Sequence, residues 1–189
     1  KDKQNKKFLY DIKCSKILKD EIEKQGLIPV EYKTGASFTM AKVLEDDILF
    51  GIEYSGHIYF NDSFPPITSG LYAGLKFLEI LSKTNKSSSE LLDGVEKYYS
   101  TEELRFSTTD LKKWKIVEKV EEYTKEKGYN TVLIDGVKVY FEDGWALIRC
   151  SNTGPNITLR YEAKTKERLE EIIEEFSKLI EKFDKELSY

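Results

Sequence analysis

Cysteine, histidine and methionine are nearly missing from this chain: 189 residues hold two, one and one of them. Cys14 and Cys150 have no metal-ligand spacing, so paired thiolates give no metal motif, and a reducing cytoplasm is the expected setting. Long apolar runs are missing too. The longest, such as Ile48 to Ile52, fall far short of a bilayer's thickness, which excludes a membrane-spanning helix. No basic, then apolar, then small-residue order opens the chain as a secretory signal would. Blocks of one charge are absent as well: 30 Lys+Arg are interleaved with 34 Asp+Glu for a net charge of −4, which argues against a nucleic-acid surface. There are no internal repeats and no low-complexity tracts. The first residue is Lys1 and not Met, so a processed, engineered or fragmentary chain is expected.

Apolar material is ample. Hydrophobic residues make up 40% and aromatics 13%, with 12 Tyr and 10 Phe, enough to pack one large domain or two small ones. Along residues 1–99 strand and helix patterns alternate. Strands are expected at Phe8 to Lys13, Leu27 to Tyr32, Ile48 to Glu53 and Ile58 to Phe60. Helices are expected at Ser15 to Lys24, Ser37 to Leu44, Gly70 to Ser82 and Glu90 to Tyr98. Leu71, Leu75, Leu78 and Leu81 share one face, which reads as a helix packed on a sheet, and Gly51 and Gly56 read as close backbone approaches. This part is α/β, with helices on a mixed sheet.

Residues 100–189 read as a small α+β domain. A strand at Leu104 to Ser107 precedes a helix capped by Asp110 and stopped at Gly128, with Ile116, Val117, Val120 and Tyr123 facing inward. Three β segments follow: Thr131 to Tyr140, bent at Asp135-Gly136 as a hairpin turn, then Trp145 to Cys150, then Ile157 to Ala163. A last helix from Thr165 carries Leu169, Ile172, Ile173, Phe176, Leu179, Ile180 and Phe183 on one stripe.

Two loops carry chemistry. Arg149-Cys150-Ser151-Asn152-Thr153-Gly154-Pro155, with Arg160 on the next strand, sets two guanidiniums around three small polar residues. Arginine's planar fork matches two phosphate oxygens, and hydroxyl, amide and turn N–H groups can satisfy the rest. The residues alone fit equally well a plain surface turn with each Arg paired to a nearby carboxylate. In Glu53-Tyr54-Ser55-Gly56-His57, a carboxylate and a hydroxyl suit adjacent sugar hydroxyls, and the imidazole of His57 is of the type that can assist proton movement on a sugar hydroxyl. Taken without a larger pattern, Glu53 and His57 read as ordinary surface residues. So do Lys13, as a strand-end lysine, and Gly35, as a turn glycine.

The larger pattern is present. Arg-x-Ser-Asn-Thr-x-Pro followed by Leu159-Arg160-Tyr161-Glu162-Ala163 resembles the phosphate loop in the fourth domain of α-D-phosphohexomutases. The Gly51-to-His57 stretch resembles the Gly-Glu-x-Ser-Gly-His signature of the third domain. Asp11-Ile12-Lys13-Cys14 and Lys33-Thr34-Gly35-Ala36-Ser37 are similar to two further third-domain segments, and Asn152 matches the phosphomannomutase/phosphoglucomutase branch. The resemblance spans nearly the whole chain but only domains three and four, and implies an incomplete domain 3 over 1–99 and domain 4 over 100–189. It implies that Arg149, Ser151, Asn152, Thr153 and Arg160 hold the phosphate that is not being transferred. It implies sugar contacts from Gly35, Glu53, Ser55 and His57, and catalytic assistance from His57 and Lys13. Ala36 stands where the family has histidine, a departure that touches activity or specificity.

The family's mutases interconvert hexose 1-phosphate and 6-phosphate through a phosphoserine and a hexose 1,6-bisphosphate, with Mg²⁺ held in the second domain. Neither a Ser-His-Asn-Pro segment nor an Asp-Gly-Asp-x-Asp-Arg loop occurs in the chain, so no metal is expected on it and no turnover by it alone. The expected partners are a phosphorylated glucose or mannose and the N-terminal domains, in the same or a separate chain. A stand-alone phosphosugar-binding or regulatory module is the alternative, and a degenerate scaffold a third reading.

Overall fold

The computed structural model describes residues 5–62 and 64–187, and the chain divides into two units, Lys1–Glu96 and Lys97–Tyr189. In the first unit, β1 (Lys7–Asp11), β2 (Ile28–Tyr32), β3 (Phe50–Ile52) and β4 (Ile58–Phe60) form a four-stranded sheet in the order β2-β1-β3-β4. The β1 pairings to β2 and β3 are parallel and the β3–β4 pairing is antiparallel. Parallel neighbours require crossovers, supplied by α1 (Lys16–Lys24) and α2 (Ala36–Glu45). Ser15 starts α1 by accepting the Ile17 N–H on its hydroxyl, a standard use of a short side-chain acceptor.

Alternation along β1 sends Leu9 to one face and Tyr10 to the other. Leu9 packs with Val43, Ile48 and Tyr59, while Tyr10 packs with Cys14 and Ile22. Helix α3 (Gly70–Ser82) departs from the expectation: it has no buried residue, and Leu71, Leu75 and Leu78 are exposed. It meets the sheet through its other side, where Tyr72 lies 5.0 Å from Phe60, ring centroid to centroid. The expected helix over Glu90 to Tyr98 is a single 3-10 turn, Glu90–Leu92; Gly94, at φ +83°, turns the backbone away from helix.

In the second unit, β5 (Tyr99–Ser100), β6 (Leu104–Ser107), β7 (Asn130–Val132), β8 (Val137–Phe141), β9 (Gly144–Cys150) and β10 (Asn156–Ala163) make a six-stranded sheet. Its pairings are all antiparallel, with β10 and β9 at the centre. Helices α4 (Asp110–Glu126) and α5 (Lys166–Glu186) lie on one face. The apolar stripes of both meet Val139, Ala146, Ile148, Ile157, Leu159 and Tyr161 in one core. Asp110 is not the cap of α4; Thr109 is, with its hydroxyl accepting the Lys112 N–H. The strand register puts Lys138, Leu147 and Arg160 side by side on the opposite face, with Trp145, Arg149, Thr158 and Glu162. Among the described residues no helix is long and apolar enough to cross a membrane.

Candidate functional site

In the first unit three separate segments meet at one carboxylate. Asp11, at the end of β1 and fully buried, accepts on Oδ1 from the backbone N–H of Lys13 at 3.2 Å, the Cys14 thiol at 3.2 Å and the Tyr54 N–H at 3.3 Å. Its Oδ2 accepts from the Thr34 hydroxyl at 3.2 Å. Lys13, Gly35 and the Glu53–His57 turn are thereby drawn to one end of the sheet, where parallel strands deliver their following loops. The Lys13 ammonium sits 5.6 Å from the centre of the Tyr54 ring. Gly35 is the N-cap of α2 at φ 137°, without a side-chain cap.

The β3–β4 turn is closed by two backbone bonds, Glu53 N–H to His57 O and Gly56 N–H to Glu53 O, both 2.9 Å. Gly56 has open space around it, so its requirement is conformational: φ is +85°, where a side chain is strained. The turn folds Ser55 and His57 over Glu53. Glu53 is buried and accepts from the Thr39 hydroxyl at 2.6 Å on Oε1 and from the Ser55 hydroxyl at 3.3 Å on Oε2. His57 Nδ1 lies 2.7 Å from Ser55 Oγ and 3.2 Å from Glu53 Oε2, while its ring stays exposed. A carboxylate and a hydroxyl on Nδ1 orient the imidazole and leave Nε2 for an external group. Burial raises the Tyr59 phenol's pKa, and Glu53 adds to the shift.

In the second unit the Ser151-to-Pro155 turn joins β9 to β10. Ser151 N–H bonds Asn156 O at 3.0 Å, and Ser151 Oγ accepts from the Thr153 N–H at 3.3 Å. Asn152 and Thr153 are exposed at the tip. Arg149 and Arg160 share the sheet face opposite the core: Arg149 pairs across the strands with Thr158, two residues from Arg160. The arginines are not idle before a ligand arrives. Arg149 donates from Nε and Nη2 to the two oxygens of Asp135 at 3.1 and 3.2 Å, leaving its Nη1 edge. Arg160 is buried, with Nε 3.5 Å from Thr101 O and its guanidinium carbon 5.7 Å from the Trp145 ring centre. Burial pushes the Cys150 thiol up to about 11.

Sequence reasoning missed three supporting residues: Thr39 under Glu53, Asp135 against Arg149, and Lys113. From α4, Lys113 places its buried ammonium 3.0 Å from Ser151 O and 3.1 Å from Gly154 O, with Asp110 Oδ1 at 2.7 Å. It ties both ends of the turn to the helix. Lys113→Met should therefore cost about 1–3 kcal/mol through two unsatisfied carbonyls. Urea unfolding measures the loss, and amide shifts at 151–154 should move most. A variant of wild-type stability with unmoved loop amides would contradict this role. Nothing in the spacing of Lys113 marks it, because its partners lie 38 and 41 positions away.

Among the described residues, no group of three or more His, Cys, Asp or Glu side chains is disposed to hold a metal ion. Compared with known proteins, residues 1–98 match the family model "Phosphoglucomutase/phosphomannomutase, alpha/beta/alpha domain III" and residues 103–179 match that family's C-terminal domain. A phosphomannomutase/phosphoglucomutase of Pseudomonas syringae is 34% identical over 165 residues, covering 87% of this chain and 36% of the relative. A solved phosphoglucomutase/phosphomannomutase family protein of Burkholderia thailandensis superposes with a TM-score of 0.85 at 33% identity, over 95% of this chain and 38% of that one. The N-acetylphosphoglucosamine mutase of Aspergillus fumigatus, solved with GlcNAc-6P and magnesium, shares the fold at 13% identity. Its TM-score is 0.69, over 96% of this chain and 40% of that one. The chain thus spans about two fifths of the length of these relatives.

Proposed function

The chain belongs to the phosphoglucomutase/phosphomannomutase family, corresponding to its domains III and IV, and from that membership we propose that it is the substrate-gripping portion of a hexose-phosphate mutase. The observation that carries this reading is the Ser151–Thr153 turn. It is held by Lys113 and lies at the end of strands that set Arg149 and Arg160 on one face. Such a cluster of guanidinium, hydroxyl and N–H donors recognises a dianion and little else. That suits a mutase, whose bisphosphorylated hexose must turn over and present either phosphate to the same grip. Ser151, Asn152 and Thr153 would take phosphate oxygens from the turn, and Arg149 and Arg160 would supply the charge.

In the first unit, Ser55 and His57 would meet the sugar, with Gly35 and Lys13 on neighbouring loops. Glu53 positions both through its bonds to them. It would reach a sugar hydroxyl where that hydroxyl replaces Ser55 Oγ, held at 3.3 Å against 2.6 Å for the Thr39 hydroxyl. His57 would move a proton at a sugar hydroxyl through Nε2, and Lys13 would offset phosphate charge. Magnesium, which the family implies for the complete enzyme, finds no carboxylate set among the described residues, and no step is assigned to it. The remaining domains would supply the phosphoserine and the metal, so this chain by itself should not turn over hexose phosphate. A cytoplasmic location goes with the reading.

The test is a chemical-shift titration with glucose 1,6-bisphosphate and mannose 1-phosphate, with inorganic phosphate as control. Shifts confined to 53–57 and 149–160, and weakened about tenfold or more by Arg149→Ala, are expected, since a charged hydrogen bond contributes about 1.5–3 kcal/mol. Sugar phosphates that act no differently from inorganic phosphate, or an Arg149→Ala chain that binds as wild type, would sink the reading.

A further inference from the structure

Trp145 is the largest fully buried side chain among the described residues, yet it lies on the sheet face away from the helices and joins none of the apolar clusters. Its neighbours are charged. Glu162, opposite it on β10, accepts the indole N–H on Oε1 at 2.8 Å. Lys138, from β8, places its ammonium 4.4 Å from the centre of the indole ring and 5.0 Å from that of Tyr140, the residue opposite Trp145 on β8. The Arg160 guanidinium reaches the same indole from β10. All three charged side chains are 5% exposed or less. Burial for apolar area alone does not call for such surroundings.

Arg160 needs support, because its side chain has several rotatable bonds and a phosphate rewards only one placement of the guanidinium fork. Thr101 O, 3.5 Å from Nε, meets one edge of the guanidinium at the limit of a hydrogen bond, too weakly to fix its plane by itself. The indole is better placed to do so. It cannot turn without breaking its bond to Glu162, and the guanidinium carbon, 5.7 Å from its centre, lies within the range over which a ring face attracts a cation. Burial removes water from that contact and strengthens it. Deepening the mutase reading, on which this rests, we propose that Trp145 is a positioning residue for phosphate binding. Its indole, anchored by Glu162, aligns the Arg160 fork for the phosphate ester of a hexose held at the Ser151–Thr153 turn.

The experiment follows the whole chain by NMR. The chain holds two tryptophans, so it gives two indole N–H signals, and Trp114→Phe, which keeps a ring beside Lys113, assigns the one from Trp145. On titration with mannose 1-phosphate that signal should move with the same midpoint as the amides of 151–154. Trp145→Leu should weaken binding about tenfold, the factor expected of a desolvated cation–π contact, and Trp145→Phe, which keeps a ring and loses the N–H, about threefold. Both losses should vanish in an Arg160→Gln background, where a merely structural role would persist. Thermal melts identify the variants that fold; if Trp145→Leu unfolds, Trp145→Phe and the wild-type indole signal still decide. The proposal is overturned by an indole signal that stays still while the loop amides shift, by folded Trp145 variants that bind as wild type, or by equal losses with and without Arg160. Wild-type loop amides that answer no sugar phosphate would overturn the mutase reading itself, and this one with it.

Discussion

Gly136→Ala is expected to destabilise the second unit by about 2–5 kcal/mol, lowering its melting temperature by more than about 10 °C. Two effects add at this position. Gly136 has φ +86°, a conformation that costs an L-residue about 1–2 kcal/mol. A Cβ there would also stand 2.5 Å from Ile148 O, 2.6 Å from Arg149 Cβ and 2.7 Å from Arg149 Cα, all fixed parts of the central strand β9. The turn must therefore lift off β9, and Asp135 lifts with it, away from the guanidinium it holds. The expected signature is a large stability loss together with weakened phosphate binding. Gly128→Ala supplies the control: φ is +67° but no atom lies within 4 Å, so only the conformational cost of about 1–2 kcal/mol should appear. Differential scanning calorimetry on both variants decides the matter, and equal losses would show that the contact with β9 costs nothing.

The second large effect concerns Asp11. Asp11→Ala leaves the Lys13 and Tyr54 N–H groups, the Cys14 thiol and the Thr34 hydroxyl without their acceptor in a buried place. The expected loss is about 2–4 kcal/mol, since a stranded buried donor costs about 1–3 kcal/mol and the loops relax in part. Asp11→Asn separates hydrogen bonding from charge. It retains Oδ1 for the three donors on that side and turns an amide N–H toward the Thr34 hydroxyl, which accepts as readily as it donates. Most of the stability should return. Urea titrations of the two variants, read by far-UV circular dichroism, test this; an Asn variant as unstable as the Ala one would show that the carboxylate's charge dominates.

Much of the fold is legible in the sequence because its signals are local. The α5 stripe from Leu169 to Phe183 is periodic over about four turns and is buried as its spacing implies. Apart from the two-residue β5, which the sequence reading does not find, the strands of both sheets follow from apolar and β-branched runs between turn residues. What failed were inferences that needed a neighbour. Periodicity finds an apolar face on α3 but not its direction, and Tyr72 on Phe60 and Phe64 turns that face outward. Thr109 outcompetes Asp110 as a cap because the cap needs an extended backbone, here φ −114° and ψ 160°, and residue type alone does not fix that. The loops themselves are visible as residue runs. Their supports are not: Asp135 is visible only as a turn former, and Thr39 as an unremarked helix residue. Each acts through a side-chain bond across 14 positions of sequence.

Neither Cys14 nor Cys150 forms a disulfide; both are buried, and one falls in each unit. Each sulfur touches a group that organises its own loop: Cys14 Sγ bonds Asp11 Oδ1, and Cys150 Sγ bonds the Lys113 carbonyl. The molecule therefore contains its own pair of chemical clocks. A thiol reagent can reach either sulfur only when that loop's support opens, and the raised pKa of the Cys150 thiol slows its reaction further at neutral pH. The two alkylation rates, separable by mass, would time the breathing of each loop independently in the unmodified sequence.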